Sequence, residues 1–498
     1  MHEGDPTNND LLTGLSRLYI DGEYVEASYD EEPVIDPGNE EIVGYAPVAD
    51  QLHLTTAVAA ARHAFDHGPW PRYSPQERAQ VLMRFHAALA GQRDRLAHIL
   101  IREAGVIRAD VWSRQIDIPL KHLANNINIA LQDFSRQVCP EVVTAGKRKA
   151  IGSALVQRVP VGVVAAVSAY NYPTYLNLAK IGPALMAGNT MILKPSPMTP
   201  FQAILLGQIA SEAGLPRGVL NIVNGGAEVG QFLCADSGVD LISFTGSEQV
   251  GKIIAENAGR NLKRCLLELG GKSPLIVRSD ANLDAAAAMI LRGFTSHAGQ
   301  GCAMFTRAIV HNSIKKNVVD RISEMARSIE IGPPGASSTG MGPVISAQQR
   351  QRVEAFVQRA SEEQSPPVFG GSRPTHLTKG FFFEPTLFDN VDNRSEIAQE
   401  EVFGPVGVVI GFDDDEEAIA LANDSKYGLR AGVISSDSGK AFEMAQCLNA
   451  GQVLLNGGAL TSLSDSPFGG LKQSGVGREN GREGFLCYTE VRSIEYHA

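Results

Sequence analysis

Between Val161 and Leu269 short apolar strands alternate with helices, and this alternation restricts the fold more than any other feature of the chain. Val161 to Ala169 is an almost unbroken run of Val and Ala, as expected of a strand covered on both faces. Met191 to Lys194, Val219 to Val223, Leu241 to Phe244 and Cys265 to Leu269 repeat that role. Helices are expected between them. Thr199 and Pro200 read as N-cap and first residue of one helix, and Gly214-Leu215-Pro216 as its end. Strand-helix-strand alternation is the pattern of a parallel, doubly wound sheet, so the fold class is α/β.

A second alternating series follows Gly271. An Ala-rich helix from Leu283 is expected to run towards Cys302, with strands at Ala308 to His311, Val406 to Phe412, Arg430 to Ile434 and Val453 to Leu455. Asp413 to Glu417 reads as an acidic cap on the next helix, where negative charge is favoured. Ser361 to Pro374 reads as a surface loop. Upstream, the first ~17 residues are polar and unpatterned, which predicts poor order. Leu18 to Val25 reads as a hairpin turning at Asp21-Gly22, followed by helices at Thr55 to Asp66 and Pro75 to Ala104. At 498 residues the chain is too long for one ordinary core, and two or three domains are expected.

Composition removes several functions. A net charge of -11 argues against nucleic acid or an anionic membrane surface as the main partner. No apolar run approaches the ~20 residues of a membrane-spanning helix. The polar, acidic start resembles neither a signal nor a transit peptide, so a cytoplasmic location is expected. The six cysteines (139, 234, 265, 302, 447, 487) form no CxxC pair, which points to reduced thiols and to no metal framework. Five of them read as small buried core residues; Cys302 is the exception.

Cys302 follows Gly299-Gln300-Gly301, among small neighbours, a setting that a structural cysteine does not need. A thiolate attacks carbonyl carbon well, and the thioester it forms requires a base to activate water. Glu268, in Leu-Leu-Glu-Leu-Gly-Gly at the end of an apolar strand, is the candidate base. The carboxyl ends of central strands are where ligands bind in open α/β sheets, and apolar surroundings would raise its pKa. Asn171 follows the first buried strand; a turn residue and an amide donor to an oxyanion fit it equally. Lys194 closes a strand, and either reaches solvent or bonds ribose hydroxyls. Phe244-Thr245-Gly246-Ser247 leads from strand to helix, a geometry suited to pyrophosphate. The GxGxxG spacing is absent.

Taken in order, these segments resemble the NAD(P)-dependent aldehyde dehydrogenase superfamily from about Leu18 onwards. The matching motifs are 170 to 173, 183 to 190, Leu193-Lys194-Pro195, 244 to 247, Glu268 to Lys272, 299 to 302, Glu400 to Pro405, Asn423 to Leu429 and Pro467 to Gly470. The resemblance implies a Rossmann-like coenzyme domain with a five-stranded parallel sheet (1–138 and 159–270) and an α/β catalytic domain (271–470). It also implies a small β oligomerisation element (139–158 and 471–498), in a homodimer or homotetramer. It implies that Cys302 attacks the aldehyde, that Asn171 and the Cys302 N–H hold the oxyanion, and that hydride passes to a nicotinamide. Glu268 then activates water, with Lys180 behind it as a proton relay. For the coenzyme it implies Ser168, Lys194, Ser196, Gly246, Ser247, Glu268, Gly270, Glu401 and Phe403. No metal is implied.

Two departures bear on specificity. Many NAD-preferring members carry a glutamate three residues beyond Lys194, where this chain has Pro197. A block to NADP is thereby lost with no basic residue gained, so NAD is expected and NADP use stays open. His297 stands where the family often has Asn, and reads as a packed core histidine. Tyr170, Tyr172, Gly301, Ala303, Ser462 and Phe468 are expected to line the substrate tunnel. With no basic anchor evident among them, a neutral aliphatic or aromatic aldehyde is expected. The alternatives are a CoA-acylating relative, which would generally lack the glutamate base, and a catalytically silent binding protein, which would lack thiol or base.

Overall fold

The computed structural model describes residues 11–27, 31–459 and 463–497. Residues 1–10, part of the terminus expected to be poorly ordered, and Ser462 lie outside the described residues.

Five strands form the parallel centre of the larger sheet. Their order is Leu220–Ile222, Thr190–Lys194, Val163–Val167, Leu241–Thr245 and Arg264–Glu268. The hairpin of Leu18–Ile20 and Glu23–Val25 extends one edge antiparallel. Its turn residues Asp21 and Gly22 both have positive φ, 52° and 78°, which the twist of a two-residue hairpin requires. Residues from Val163 to Ala166 have no solvent exposure. Val163 and Ala165 face one core with Ile192 and Ile242, whereas Val164 and Ala166 face another with Met191 and Leu193. Both faces are therefore covered, and each buried Val contributes about 1.5–3 kcal/mol. This two-sided burial explains the unbroken apolar run.

The second sheet is parallel throughout: Thr386–Phe388, Val406–Phe412, Arg307–His311, Pro274–Val277, Arg430–Ile434 and Gln452–Leu455. Asp414 caps the helix Asp415–Asn423, and the Glu417 carboxylate accepts the Asp413 N–H, as the acidic run predicts. A smaller sheet pairs Arg148–Pro160 with Thr489–His497, and also with Glu141–Ala145 and Arg136–Gln137. Val142, Ile151, Val491 and Ile494 are exposed there. Gly475–Val476, though within 471–498, joins the large sheet beside Arg264–Glu268. Only the last strand of that stretch belongs to the small sheet.

Several expectations need correction. The helix expected over Pro75 to Ala104 is two, Pro75–Gly91 and Arg93–Ala104, because Gln92 leaves the helical region at ψ 13°. The first carries a capping box between Ser74 and Glu77. Thr199 is not an N-cap: Pro200 takes that place in the helix Phe201–Glu212 and makes no side-chain bond. The buried Glu103 carboxylate instead accepts from the N–H groups of Phe201 and Gln202, at 2.9 and 3.2 Å. The helix Leu283–Thr295 stops well before Cys302. The surface loop begins later than expected, because the helix Ala347–Glu363 runs past Ser361. Cys139 and Cys447 are exposed rather than core; Cys234 is buried, and Cys265 and Cys487 are half-buried. Cys139 lies in the connection between the exposed strands Arg136–Gln137 and Glu141–Ala145, and Cys447 just past the helix Ser438–Gln446. Among the described residues no helix is long and apolar enough to cross a membrane.

Candidate active site

The Cys302 loop is built by three successive left-handed residues. After the helix Leu283–Thr295, His297, Ala298 and Gly299 take φ values of 48°, 51° and 72°. A Cβ on Gly299 would sit 2.0 Å from the Gly404 carbonyl oxygen, so only glycine fits there. Gln300 pins the loop: its side chain accepts the Ile345 N–H at 2.9 Å and donates to the His297 carbonyl at 3.1 Å. Strain of this kind persists only where the surroundings fix it, and it gathers at functional sites.

Close backbone approach joins the two glycine-containing motifs. A Cβ on Gly271 would meet the Cys302 carbonyl oxygen at 2.5 Å. A Cβ on Gly469 would meet Glu268 Oε1 at 2.6 Å. Glu268 ends its strand 2 % exposed, and neither carboxyl oxygen has a hydrogen-bond partner among the described residues. Burial and the nearby Glu479 charge push its pKa well above the usual carboxylate range, with Lys180 and Arg478 opposing. Cys302 is half-buried; burial, then Glu401 and Glu268, push its thiol up to about 12. Burial and these carboxyl groups thus favour the protonated thiol, with Arg430 opposing. Negative neighbours and a dry site hold the proton on.

Asn171 is buried, and its Nδ2 donates to the Gln300 carbonyl at 2.9 Å. That bond ties the amide to the nucleophile loop and leaves its second N–H to give. Gln115, on a π-helical stretch Val111–Asp117, donates to the Asn171 carbonyl at 3.0 Å. Lys180 is fully buried and bonds Glu479 Oε1 at 2.6 Å and Ser243 Oγ at 3.2 Å. His297 is buried with Nε2 unpartnered, its ring 5.4 Å from that of Tyr172. Burial lowers its pKa to about 4, which favours the neutral ring.

On the other side, Glu401 Oε1 accepts the Gly271 N–H at 3.0 Å. Burial raises its pKa to about 7. Phe403, at φ 58°, meets Tyr170 edge-on at 5.9 Å. Gly270 leaves room for Glu401, whose Oε2 lies 2.6 Å from where a Cβ would be. Lys194 is 5 % exposed and bonds the Pro195 carbonyl at 3.2 Å, with its pKa lowered by burial to about 8. It does not reach solvent. Ser168 N–H bonds the Lys194 carbonyl, its hydroxyl bonds Asn177, and the Ser196 hydroxyl accepts from Met198 N–H. Gly246 N–H bonds the Glu268 carbonyl, and Ser247 caps the helix Glu248–Arg260. Gly301, Ala303 and Phe468 are half-buried around Cys302. Ser462 lies outside the described residues. Among those residues no group of three or more His, Cys, Asp or Glu is arranged to hold a metal.

The aldehyde dehydrogenase family model matches residues 24–494. The chain belongs to that family. A betaine aldehyde dehydrogenase of Bacillus subtilis (strain 168) is 37% identical over 483 residues, 96% of each chain. A 3-succinoylsemialdehyde-pyridine dehydrogenase of a Pseudomonas species is 38% identical, over 96% of this chain and 98% of that protein. The crystal structure of a Staphylococcus aureus betaine aldehyde dehydrogenase in complex with NAD+ superposes with TM-score 0.92 at 35% identity, covering 99% and 97% of the two chains. A Mycobacterium tuberculosis aldehyde dehydrogenase complexed with NAD+ gives TM-score 0.90 at 39% identity, covering 96% and 97%. The α/β expectation and the family resemblance are both borne out.

Sequence reasoning missed Glu479, Arg478, Gln115 and Arg430. Glu479 reaches Lys180 only because Gly475–Val476 pairs beside Glu268, a long-range contact without local signal. Arg430 did carry one. It is a cation opening an otherwise apolar strand, the opposite end from the one Lys194 closes.

Proposed function

We propose that this aldehyde dehydrogenase oxidises an aldehyde irreversibly to the carboxylate with NAD+ as coenzyme. The observation that carries the reading is the unpartnered, buried Glu268 carboxyl, at the end of a strand whose following turn at Gly271 meets the Cys302 backbone.

The residues present suit that coenzyme. Among the described residues Lys194 is a buried cation bonded to one carbonyl, Glu401 is a carboxyl held by one backbone N–H, and Ser247 opens a helix N-terminus. These would hold ribose hydroxyls and pyrophosphate, with Ser168, Ser196, Gly246, Gly270 and Phe403 around them. When bound, NAD+ supplies the hydride acceptor. NADP use stays open at Pro197.

Cys302 Sγ adds to the aldehyde carbon, its proton passing to the Glu268 carboxylate and from there to solvent before the hydrolysis step. The oxyanion takes hydrogen bonds from Asn171 Nδ2 and the Cys302 N–H, which lowers the barrier by about 2.7–4 kcal/mol per donor. After oxidation the carbon is a thioester of Cys302. Glu268 takes a proton from water, whose oxygen bonds that carbon while the C–S bond breaks, releasing the carboxylate and the thiol. Retention of Glu268 supports water over CoA as the acceptor. The aromatic walls Tyr170, Tyr172 and Phe468 suit an aliphatic or aromatic body on the aldehyde.

We place the enzyme in the cytoplasm, and divide it at 1–138 with 159–270, 271–470, and 139–158 with 471–498, of which Thr489–His497 alone joins the small sheet and Gly475–Val476 goes with the coenzyme domain. The exposed apolar side chains of the small sheet support a homodimer or homotetramer, which sedimentation would test. The activity itself is tested with an aldehyde panel followed by NADH absorbance. Cys302→Ala is expected to abolish the signal with every aldehyde, and retained turnover in that variant would overturn the mechanism.

A further inference from the structure

Arg430 opens the strand Arg430–Ile434 and points its guanidinium group at the catalytic loop. Nη1 lies 3.4 Å from the carbonyl of Ala303, the residue after the nucleophile. Nε donates to Gln452 Oε1 at 2.8 Å, across the register pair Arg430 and Gln452. The guanidinium carbon stands 5.7 Å from the centre of the Phe468 ring. Among the described residues Arg430 has no carboxylate partner, and Nη2 has no protein acceptor. Burial lowers its pKa, and Cys302, Tyr175 and Tyr172 are the titratable groups whose charge would act on it.

Arginines buried for structural reasons in this protein look different. Arg307 is also without a carboxylate, but its two terminal nitrogens bond Asn393 and the carbonyls of Leu421 and Ala422. Arg430 is half-buried and keeps a free edge, held between the carbonyl of Ala303 and the Phe468 ring. Tyr175 stands near it with a similar surplus: its hydroxyl accepts from Asn480 Nδ2 at 2.8 Å, so its own proton remains to be given.

We infer that Arg430, assisted by the Tyr175 hydroxyl, anchors a carboxylate carried by the substrate, so that the enzyme prefers an oxo acid to a neutral or cationic aldehyde. This rests on the aldehyde-oxidising reading above and narrows it. The apolar walls alone favour a neutral aldehyde; the unpaired cation between them changes that. A guanidinium fork matches a carboxylate with two parallel hydrogen bonds, and a partly dry site strengthens the attraction. The same charge repels a quaternary ammonium. Betaine aldehyde, which gives two of the relatives their name, is such a cation, and it is disfavoured here.

The test compares kcat/KM for 5-oxopentanoate, pentanal and betaine aldehyde with NAD+, in the wild type, Arg430→Gln and Arg430→Lys. In the wild type the oxo acid is expected to exceed pentanal by about tenfold or more, mainly through KM, as a charged hydrogen-bonded pair provides. Arg430→Gln should collapse that ratio and improve betaine aldehyde relative to pentanal. Arg430→Lys should restore part of it. Equal wild-type rates for oxo acid and pentanal would overturn the assignment. So would an equal loss on every aldehyde in Arg430→Gln with a shifted pH profile of Cys302 alkylation, which would make Arg430 an aid to the thiol. Should Arg430→Gln fail to fold by circular dichroism, the wild-type ratio decides. Absence of NADH with all three compounds in the wild type would instead count against the activity itself.

Discussion

Lys180 directs its ammonium group to Glu479, 2.6 Å away, and leaves the Glu268 carboxyl beside the pair without a hydrogen bond. The lysine expected behind Glu268 thus acts on it through charge, against an opposing glutamate. Glu479 raises the Glu268 pKa and Lys180 lowers it, with burial the largest effect. Glu479→Gln removes the raising charge, so Glu268 should ionise at lower pH. Because the carboxylate is the base, thioester hydrolysis is lost as pH falls through its pKa, and the acid limb should move to lower pH. Breaking the buried pair should also cost about 3–5 kcal/mol of stability. Burst kinetics across pH and a melting curve measure the two effects. An acid limb that stays in place would show that Glu479 does not tune the base.

The Cys302 thiol, pushed up to about 12 by burial, Glu401 and Glu268, is protonated throughout the neutral range. Alkylation requires thiolate, so the rate for Cys302 in the coenzyme-free enzyme should rise about tenfold per pH unit from neutral pH to pH ~9. Mass spectrometry of iodoacetamide-treated enzyme follows this residue separately from the exposed Cys139 and Cys447. A rate that levels off near neutrality would mean an ionised sulfur at rest. Adding NAD+, which brings positive charge at its ring, should speed the reaction at fixed pH.

Glu103 supplies the cap that Thr199 does not. Its carboxylate is fully buried and serves the first N–H groups of the helix Phe201–Glu212, a full layer away in sequence. Glu103→Ala leaves both donors without a partner and opens a cavity, and should destabilise by about 3 kcal/mol. The melting temperature should fall while Glu103→Gln falls less, since one amide oxygen can still accept. Equal melting of Glu103→Ala and wild type would refute the cap.

What could be read from the sequence was mostly what is local. Val163 to Ala166 gave away a two-sided strand because every residue of a buried parallel strand must be apolar, and Asp21-Gly22 gave away a turn that needs positive φ. Cys302 and Glu268 stood out because close backbone approach demands glycine at Gly299 and Gly271, and glycine is visible in a sequence. The three left-handed residues before Cys302 were not visible, since His297 and Ala298 do not prefer that conformation and hold it only through Gln300 and the surrounding loops. The partners Glu479 and Glu103 were hidden for a related reason. Each acts on a residue about 100 positions or more away, and that contact exists only after the sheet has formed.

Gly270 and Glu401 offer the sharpest test of the coenzyme side. Glu401 is fixed by one bond, from the Gly271 N–H to Oε1, and its other oxygen lies 2.6 Å from where a Gly270 Cβ would stand. Gly270→Ala therefore pushes the carboxylate off its hydrogen bond to the Gly271 N–H. If Glu401 bonds the coenzyme ribose, KM for NAD+ should rise about tenfold, the worth of a charge-assisted hydrogen bond, and Glu401→Gln should rise similarly. KM for the aldehyde should change less, because the bond that places the Glu401 carboxyl comes from the Gly271 N–H. Combining the two substitutions should add little, since both remove one interaction. Additive losses would mean that Gly270 matters for a reason other than the room it leaves for Glu401.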